Sequence, residues 1–259
     1  AGAYSFNYFK NIGAGEGGGV ITNDMAIDKR VACAIDPCHY YWTGRAEDFI
    51  PFASNGARAS EFLGAILNAQ LDRLPKMMTI MRSEKKQILS NTRHLHHLGL
   101  KSTPMNSPDY ECGTHVMYTM PKHEVATKFI EVMPSVIAGK TGRHNYTEWD
   151  QILLGEGAAH SLMNPYKMAV NQKCRGTVTK DMLPRSLDIL GRTVMIPTDP
   201  SHSEEQIGKM ISNIEVAAKF AFGKIDRSEV KSKMTEFKET DKIDARRYDT
   251  DVAAYGLAQ

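Results

Sequence analysis

The segment "SFNYFKNIGAGEGGGVITND", residues 5–24, decides how this chain is interpreted. It sets one lysine, Lys10, between a cluster of aromatic residues and a glycine-rich run at residues 13–19. Glycine-rich loops often approach phosphates, because they lack side chains that would block the backbone. A lysine in apolar surroundings can instead serve as a nucleophile. The first question is therefore what the glycines do for the lysine.

The glycine run has the residue pattern G-x-G-x-x-G of dinucleotide-binding loops, but the segments around it do not fit that motif. In that motif a strand precedes the glycines and a helix begins at them, because the helix N-terminus holds the pyrophosphate. Here Val20-Ile21-Thr22 follows, which is typical of a strand. No Gly-Lys-Ser/Thr ends the run, so a P-loop is not indicated either. A nicotinamide-dependent oxidoreductase is thus the weakest of the alternatives.

The setting of Lys10 favours covalent chemistry over the ordinary role of a lysine, a solvated surface charge. Its neighbours are aromatic or apolar: Phe6, Tyr8, Phe9 and Ile12. Enclosure by such residues would favour the neutral, nucleophilic amine. Ser5 carries a hydroxyl that can bind a phosphate. A lysine, such a serine and a bare backbone together suggest pyridoxal phosphate, with a surface lysine as the competing interpretation.

Composition excludes several classes of protein. The chain has 259 residues, of which 42% are hydrophobic and 24% charged, enough for one large domain or two small ones with a sizeable core. The formal net charge of +2 gives no argument for binding nucleic acid or an acidic membrane surface. No apolar run reaches the ~18 residues of a membrane span, and no basic-then-apolar leader is present. We therefore expect a cytoplasmic protein without membrane or nucleic-acid partners.

Neither the cysteines nor the histidines predict a metal site. The four cysteines form no C-x-x-C pair, so we expect buried or idle thiols in a reducing compartment: Cys33, Cys38, Cys112 and Cys174. A histidine cluster lacks a second cluster with ligand spacing, and we expect it to form an exposed helix end: His94, His96 and His97.

Periodicity predicts the elements of the first hundred residues. Short strands are expected at 3–9 and 19–22, and a helix from Met25 to about Cys33, followed by an irregular stretch at 34–57. An amphipathic helix begins at Ser60. Its apolar stripe, which we expect to pack inward, consists of Leu63, Ile66, Leu67, Leu71 and Leu74. We expect Pro75 to kink or end this helix, with a second helix from Lys76 to His97.

The rest of the chain mixes strands and helices. Strands are predicted at 114–120 and 192–196, and helices at 124–133 and 184–190, with a loop-rich stretch at 139–181. Ser203-x-x-Gln206 has the form of a capping box that opens a further helix. The apolar stripe of that helix is Ile207, Met210, Ile211, Ile214 and Ala218. Beyond Gly223 the charge density predicts a solvated helix or a flexible tail.

Three segments resemble one family in the order that the family has them. Residues 5–24 resemble the cofactor-lysine motif of the DegT/DnrJ/StrS sugar aminotransferases, which depend on pyridoxal phosphate. The segment Arg58-x-Ser-Glu-x-x-x-Ala-x-x-x-Ala-Gln-Leu, residues 58–71, resembles the part that follows this lysine. Residues 183–197, with Leu-Pro, Leu-Asp and Arg-x-Val-x-Ile-Pro, resemble the start of the last strand. The resemblance extends over residues 1 to about 222.

The resemblance implies an α/β protein of fold type I, made of part of a large domain and a smaller C-terminal α+β domain. Residues 1–85 would be the C-terminal part of the large, cofactor-binding domain, with an interface loop at 35–57. Residues 86–222 would form the small domain, and 223–259 a charged tail. The family implies a homodimer with its active sites at the subunit interface.

The resemblance also implies roles for individual residues. Lys10 would carry pyridoxal phosphate as a Schiff base and then move the proton, and Ser5 would bind the cofactor phosphate. Asn7 stands where many members have a glutamine that contacts the cofactor. Asn55 lies one position from the family's asparagine that reaches the phosphate of the partner subunit. The candidate substrate-binding residues are His39, Arg58 and Tyr8, and no metal is implied.

Members of the family have an N-terminal half that precedes the cofactor lysine and supplies contacts to the cofactor ring. We expect this chain to be the C-terminal half or more, completed by a second copy or by a partner chain. The leading hypothesis is transfer of an amino group from glutamate or glutamine to a keto or aldehydo sugar, nucleotide-linked or free, in amino-sugar biosynthesis. The alternative is a non-catalytic chain or one half of a split enzyme. The sequence leaves the sugar and the amino donor open.

Overall fold

The computed structural model describes residues 1–44, 49–142, 145–173 and 176–235. The chain divides into two compact units, Ala1–Met77 and Met78–Gln259. The division falls inside one long helix.

The first unit begins with a β-hairpin. Strand β1 (Gly2–Ser5) pairs antiparallel with β2 (Gly18–Ile21), with Gly2 opposite Ile21 and Ser5 opposite Gly18. Both strands lie where the sequence predicts them, although β1 ends at Ser5 because the chain then turns. Helix α1 (Met25–Ile35) follows, and the Asp24 carboxylate caps it by accepting from two backbone N–H groups of its first turn.

The stretch predicted to be irregular contains a short helix, α2 (His39–Thr43). Residues 45–48 of the predicted interface loop lie outside the described residues. Helix α3 (Glu61–Thr92) then begins next to Ser60, whose Oγ accepts from Leu63 N at 3.2 Å.

The prediction that Pro75 kinks or ends the helix, with a second helix running to His97, is wrong. Helix α3 is one element of 32 residues with Pro75 inside it, and a 3₁₀ helix at Arg93–Leu98 follows, closed by Gly99 at φ +109°. A proline removes one backbone donor from the helix ladder. Pro75 lies on an exposed turn, where water can replace that bond. The exposed helix end expected for the histidine cluster is confirmed, because His94, His96 and His97 are exposed on the 3₁₀ turn.

The expected inward stripe of α3 is not buried within the first unit. Ile66 and Leu71 are 47% and 49% exposed, and Leu63, Leu67 and Leu74 are only half-buried. Among the described residues of this unit, Cys33 is the one fully buried side chain. A sequence pattern records which side of a helix is apolar, but burial requires a second layer opposite that side.

The second unit is built on an antiparallel sheet in the order β3-β4-β6-β5. Register places His115 opposite Pro197 and Thr119 opposite Thr193 across its central pair. The elements of this unit after α3 are β3 (Lys101–Ser102), β4 (His115–Thr119), α4 (His123–Ile130), β5 (Val136–Ile137), α5 (Asp150–Leu153), α6 (Pro184–Gly191), β6 (Thr193–Pro197), α7 (Glu204–Ala221) and α8 (Arg227–Lys233). The strands and helices predicted for this half are confirmed to within a few residues.

The core of the second unit lies where α3, α4 and α7 meet the sheet. Burial alternates along β4 as successive side chains of a strand point to opposite faces: Val116 and Tyr118 are fully buried, and Met117 between them is not. The predicted stripe of α7 is confirmed: Ile207, Met210, Ile214 and Ala218 are buried and Ile211 packs against them. The Ser203–Gln206 capping box is also present. This unit therefore has a core of its own, whereas the described residues of the first unit bury Cys33 alone.

Helix α8 has no buried residue, and residues 236–259 of the predicted charged tail lie outside the described residues. Cys174, predicted to be a buried or idle thiol, lies outside them too. Within the described part of the chain, no helix is both long and apolar enough to span a membrane.

Candidate functional site

The lysine of the opening segment lies on the connection of the β1–β2 hairpin. Backbone pairing continues past the two strands, with Phe6 N donating to Gly17 O at 2.9 Å and Tyr8 N to Gly15 O at 3.0 Å. Ala14 N returns a bond to Phe6 O at 2.8 Å. The glycine run is therefore the partner strand of the segment that leads into Lys10.

Ser5, Asn7 and Lys10 share one tight turn. Lys10 N donates to Asn7 O at 3.1 Å, and the Asn7 side-chain oxygen accepts from Phe9 N at 3.3 Å. Asn7 N lies 3.5 Å from Ser5 Oγ. An asparagine that accepts from the backbone two residues on is a turn former. Asn7 thus shapes the turn that presents Lys10, besides any contact it makes with a ligand.

Close backbone packing explains the glycines. A Cβ on Gly13 would lie 2.9 Å from Asn7 O and 3.0 Å from Tyr8 O, and one on Gly18 would lie 2.8 Å from Tyr4 O. Any other residue would push the two sides of the hairpin apart. Strand β2 follows the run directly, so no helix begins at the glycines and the argument against a dinucleotide loop is confirmed.

Helix α3 supports the glycine side of the hairpin. Gln70 Nε2 donates to Gly13 O at 3.2 Å. A Cβ on Gly17, whose φ is +115°, would lie 2.8 Å from Leu63 Cδ1. The second sequence motif, residues 58–71, therefore positions the first motif, residues 5–24. Sequence reasoning did not assign this role to Gln70, although the residue is part of the motif.

The apolar enclosure that we expected around Lys10 is not formed by the described residues. Lys10 is exposed, and its side chain has no hydrogen bond or ion pair with any described residue. Tyr8 and Phe9 pack edge to face with ring centroids 5.3 Å apart, yet they are 74% and 44% exposed. Aromatic side chains on a tight turn point outward, so covering the amine requires a second layer of protein.

The remaining candidates lie at the C-terminal end of α1. Arg58 Nη1 is 3.9 Å from Asp36 Oδ2 with its side chain 75% exposed, and His39 N donates to Asp36 O at 2.9 Å. Ala57 N donates to Ile35 O at 2.7 Å, and Asn55 just before it is exposed. The structure thus brings His39, Asn55 and Arg58 together, and it places Ser5, Asn7, Tyr8 and Lys10 on a different segment.

Cys33 anchors the second group, a role the sequence did not indicate. Its thiol donates to Phe52 O at 3.2 Å, and its carbonyl oxygen accepts from Ser54 Oγ at 3.1 Å. The Arg30 guanidinium lies over the Phe52 ring at 5.2 Å. These contacts fix the loop that carries Asn55 against α1. The expectation of a buried or idle thiol is confirmed for Cys33, which is free and fully buried, although its thiol also makes a specific contact.

The Lys10 turn fits two ends of pyridoxal phosphate. A primary amine with no described partner suits the aldehyde, and the Ser5 hydroxyl on the same turn suits the phosphate. The exposed Tyr8 and Phe9 rings do not enclose a pyridine ring. The described residues of this unit therefore suit the two ends of such a cofactor and would leave its ring uncovered.

Comparisons with known proteins identify the family and the fold. The model of the DegT/DnrJ/EryC1/StrS aminotransferase family matches residues 1–215. Similar solved structures include an aminotransferase from Psychrobacter cryohalolentis (17% identity, TM-score 0.57), covering 84% of this chain and 56% of that one. The PMP-form of Spr1654 from Streptococcus pneumoniae is also similar, with 12% identity and a TM-score of 0.52, covering 85% of this chain and 52% of that one. DesI in the presence of its TDP-sugar product is similar too, with 17% identity and a TM-score of 0.51, covering 88% of this chain and 52% of that one.

The chain spans about half the length of the solved structures it matches. Its mixed α/β architecture is that of these aminotransferases, so the predicted fold class is confirmed. At these identities the structural likeness concerns the fold alone. The family match covers most of the chain, and the chain belongs to the DegT/DnrJ/EryC1/StrS aminotransferase family.

Proposed function

We propose that this chain carries the cofactor lysine of an aminotransferase dependent on pyridoxal phosphate. The enzyme would move an amino group from glutamate or glutamine to a keto or aldehydo sugar, nucleotide-linked or free. The observation that carries the proposal is Lys10, held out on a glycine-backed turn with its amine unpaired among the described residues. The TDP-sugar product of DesI supports a sugar acceptor, and the PMP-form of Spr1654 supports the cofactor.

Each residue of the Lys10 turn has a task in such a reaction. Bound pyridoxal phosphate supplies an electron sink for the carbon that loses or gains the amino group. Lys10 Nζ would hold the aldehyde of the cofactor, and the same amine would move the proton at the reacting carbon. Ser5 Oγ donates to the phosphate. Asn7 keeps the shape of the turn that carries both groups.

The second group is proposed to bind the parts of the ligands that carry charge. The exposed guanidinium of Arg58 can take a carboxylate or phosphate with two parallel hydrogen bonds. His39 and Tyr8 would contact the acceptor. Asn55 would reach the cofactor phosphate of a neighbouring subunit.

We further propose that another polypeptide completes the site, either a second copy in a homodimer or a chain that supplies the family's N-terminal half. The support is the near absence of burial in Ala1–Met77, where large apolar side chains remain in solvent: Tyr8 at 74%, Trp42 at 82%, Ile50 at 89% and Phe62 at 84% exposed. Exposed apolar side chains on this scale mark an interaction surface. Without that partner, the chain would be the inactive half of a split enzyme.

Borohydride trapping tests the role of Lys10. The native complex is incubated with pyridoxal phosphate, reduced, digested and mapped by mass spectrometry. We expect the cofactor mass on the peptide that contains Lys10. Lys10→Arg, which keeps the positive charge, should remove the label, whereas Lys76→Arg, at an exposed lysine of the same unit, should leave it unchanged. Label on other lysines with none on the Lys10 peptide would refute the assignment.

The same samples test the need for a partner. Sedimentation at micromolar concentration and an amination assay are run on the isolated chain and on the complex. We expect turnover only in the assembly. A monomer that aminates a keto sugar would contradict the second part of the proposal and leave the first intact.

A further inference from the structure

The second unit contains a cavity of about 360 Å³ that the proposed reaction does not use. It is formed by α3, by the segment that joins β3 to β4, and by the face of β4 that carries Met117. Its volume falls within the range of small-molecule sites, about 300–1,000 Å³. The residues that matter for its chemistry are Lys85, Leu89, Met105, Tyr110, Glu111 and Met117.

An ion pair lines one side of this cavity. Lys85 Nζ lies 2.6 Å from Glu111 Oε2, and the two side chains are 9% and 30% exposed. Taken together the pair carries no net charge. A pair this poorly solvated is costly to disturb unless new partners replace the old ones.

The wall that carries Glu111 is fixed to α3 by its backbone. Arg82 Nε donates to Glu111 O at 2.5 Å. Gly113 packs so closely that a Cβ would lie 2.7 Å from Arg82 N and 2.9 Å from Met81 C. The cavity is therefore formed before any ligand arrives, which lowers the cost of binding.

His115 adds no charge beside the ion pair at neutral pH. Burial, and then the charge of Lys85, lower the pKa of His115 to about 4, so its ring is neutral at pH 7. The rest of the lining is mixed: Leu89, Met105 and Met117 provide an apolar surface and the exposed Tyr110 is part of it, while neutral polar groups come from Ser102, Thr103, Asn106 and Ser107. Methionine side chains adapt to ligands of different shape.

We propose that this cavity binds a free amino acid with an apolar side chain. The carboxylate of the ligand would approach Lys85, its ammonium group the Glu111 carboxylate, and its side chain the surface formed by Leu89, Met105 and Met117. A ligand with a single charge would leave one member of the ion pair uncompensated in a poorly solvated place, whereas a zwitterion keeps both compensated. The residues of the cavity belong to the second unit and Lys10 to the first, and the proposal does not depend on the proposed function.

Calorimetric titration of the full chain tests the ligand class. The probes are L-leucine, L-methionine and L-phenylalanine, each compared with its decarboxylated amine and its deaminated acid. We expect saturable binding of at least one amino acid, and affinities lower by about tenfold or more for the amine and the acid, because each loses a hydrogen bond to a charged group. Equal binding of the three forms, or no saturable binding at all, would overturn the proposal.

Variants locate the site. Lys85→Met with Glu111→Gln removes both charges and should abolish binding. Lys167→Met with Glu156→Gln makes the same change at an exposed pair of the same unit, whose side chains are 50% and 53% exposed, and should bind normally. Should the first double variant fail to fold, Met105→Trp, at a wall residue that is 39% exposed, fills the cavity instead.

Lys10→Arg should bind the amino acid as the wild type does. Loss of binding in Lys10→Arg, or full binding in the folded variants of the cavity, would show that the amino acid binds elsewhere and would refute the assignment.

Discussion

A buried pair formed by Glu84 and His202 gives a sharp test of how the second unit is held together. The Glu84 side chain is 1% exposed and that of His202 12%. His202 Nδ1 lies 2.8 Å from Glu84 Oε1, and Asp199 N donates to Oε2 at 3.0 Å. These contacts tie α3 to the loop that precedes α7.

His202→Leu removes the histidine partner and leaves the carboxylate buried. Breaking a buried pair at one partner typically lowers the free energy of unfolding by about 3–5 kcal/mol, because the other charge stays desolvated. The control is His123→Leu. His123 Nε2 makes a similar contact with Asp188 Oδ1 at 3.1 Å, but those side chains are 54% and 55% exposed. Solvent screens such a pair, so the control should unfold almost as the wild type does.

The effect of His202→Leu should depend on pH. Burial alone lowers the pKa of His202, but the hydrogen bond to Glu84 and the charges of Glu84 and Asp199 outweigh it, so the pKa is raised above 6.5. A group whose pKa is raised on folding stabilises the protein fully below its unfolded pKa, and this contribution is lost as the pH rises through the folded value. The difference in stability between wild type and variant should therefore be largest near pH 6 and shrink toward pH 9.

Denaturant unfolding on a Trp42→Phe background measures this difference. The chain has two tryptophans, so the fluorescence then reports on Trp149, within the second unit. Unfolding is followed at several values between pH 6 and pH 9 for the wild type, His202→Leu and His123→Leu. A difference that stays constant with pH, or one as small as that of His123→Leu, would refute the view that a charged, buried His202 supports the fold.

Two further changes test the backbone of the same unit. Gly113→Ala should destabilise the protein by at least about 1–2 kcal/mol, because φ is +77° there and the new Cβ would collide with α3. Gly208→Ala lies inside α7, where the new Cβ meets nothing within 4 Å, and should stabilise the protein by about 1 kcal/mol. A reversed order of the two unfolding midpoints would contradict this. Ser203→Ala should cost about 1 kcal/mol by removing the cap of α7, and an unchanged midpoint in urea would show that the capping box contributes nothing.

The sequence predicted those elements whose signals are local. Ser203 and Gln206 define the start of α7 through two side-chain-to-backbone bonds within one turn. Pro184 and Gly191 likewise bound α6. The lysine motif was also recognisable, since its serine, asparagine, lysine and glycines lie within fifteen residues, although the sequence predicted a strand as far as residue 9 where the chain turns after Ser5. Short-range hydrogen bonds and backbone preferences depend on neighbours in the chain, so a single sequence contains them.

What the tertiary structure decided depends on contacts between residues far apart in the chain. Neither the buried Glu84–His202 pair, separated by 118 positions, nor the Lys85–Glu111 pair in the cavity has a local signal. The apolar stripe beginning at Leu63 was visible in the sequence, but its exposure was not. Periodicity describes the surface of one helix, whereas burial requires a second element packed against that surface. For the same reason, the sequence predicts Lys10 as the cofactor lysine, whereas the layer that would enclose its amine can be judged only in three dimensions, where Tyr8 and Phe9 point into solvent.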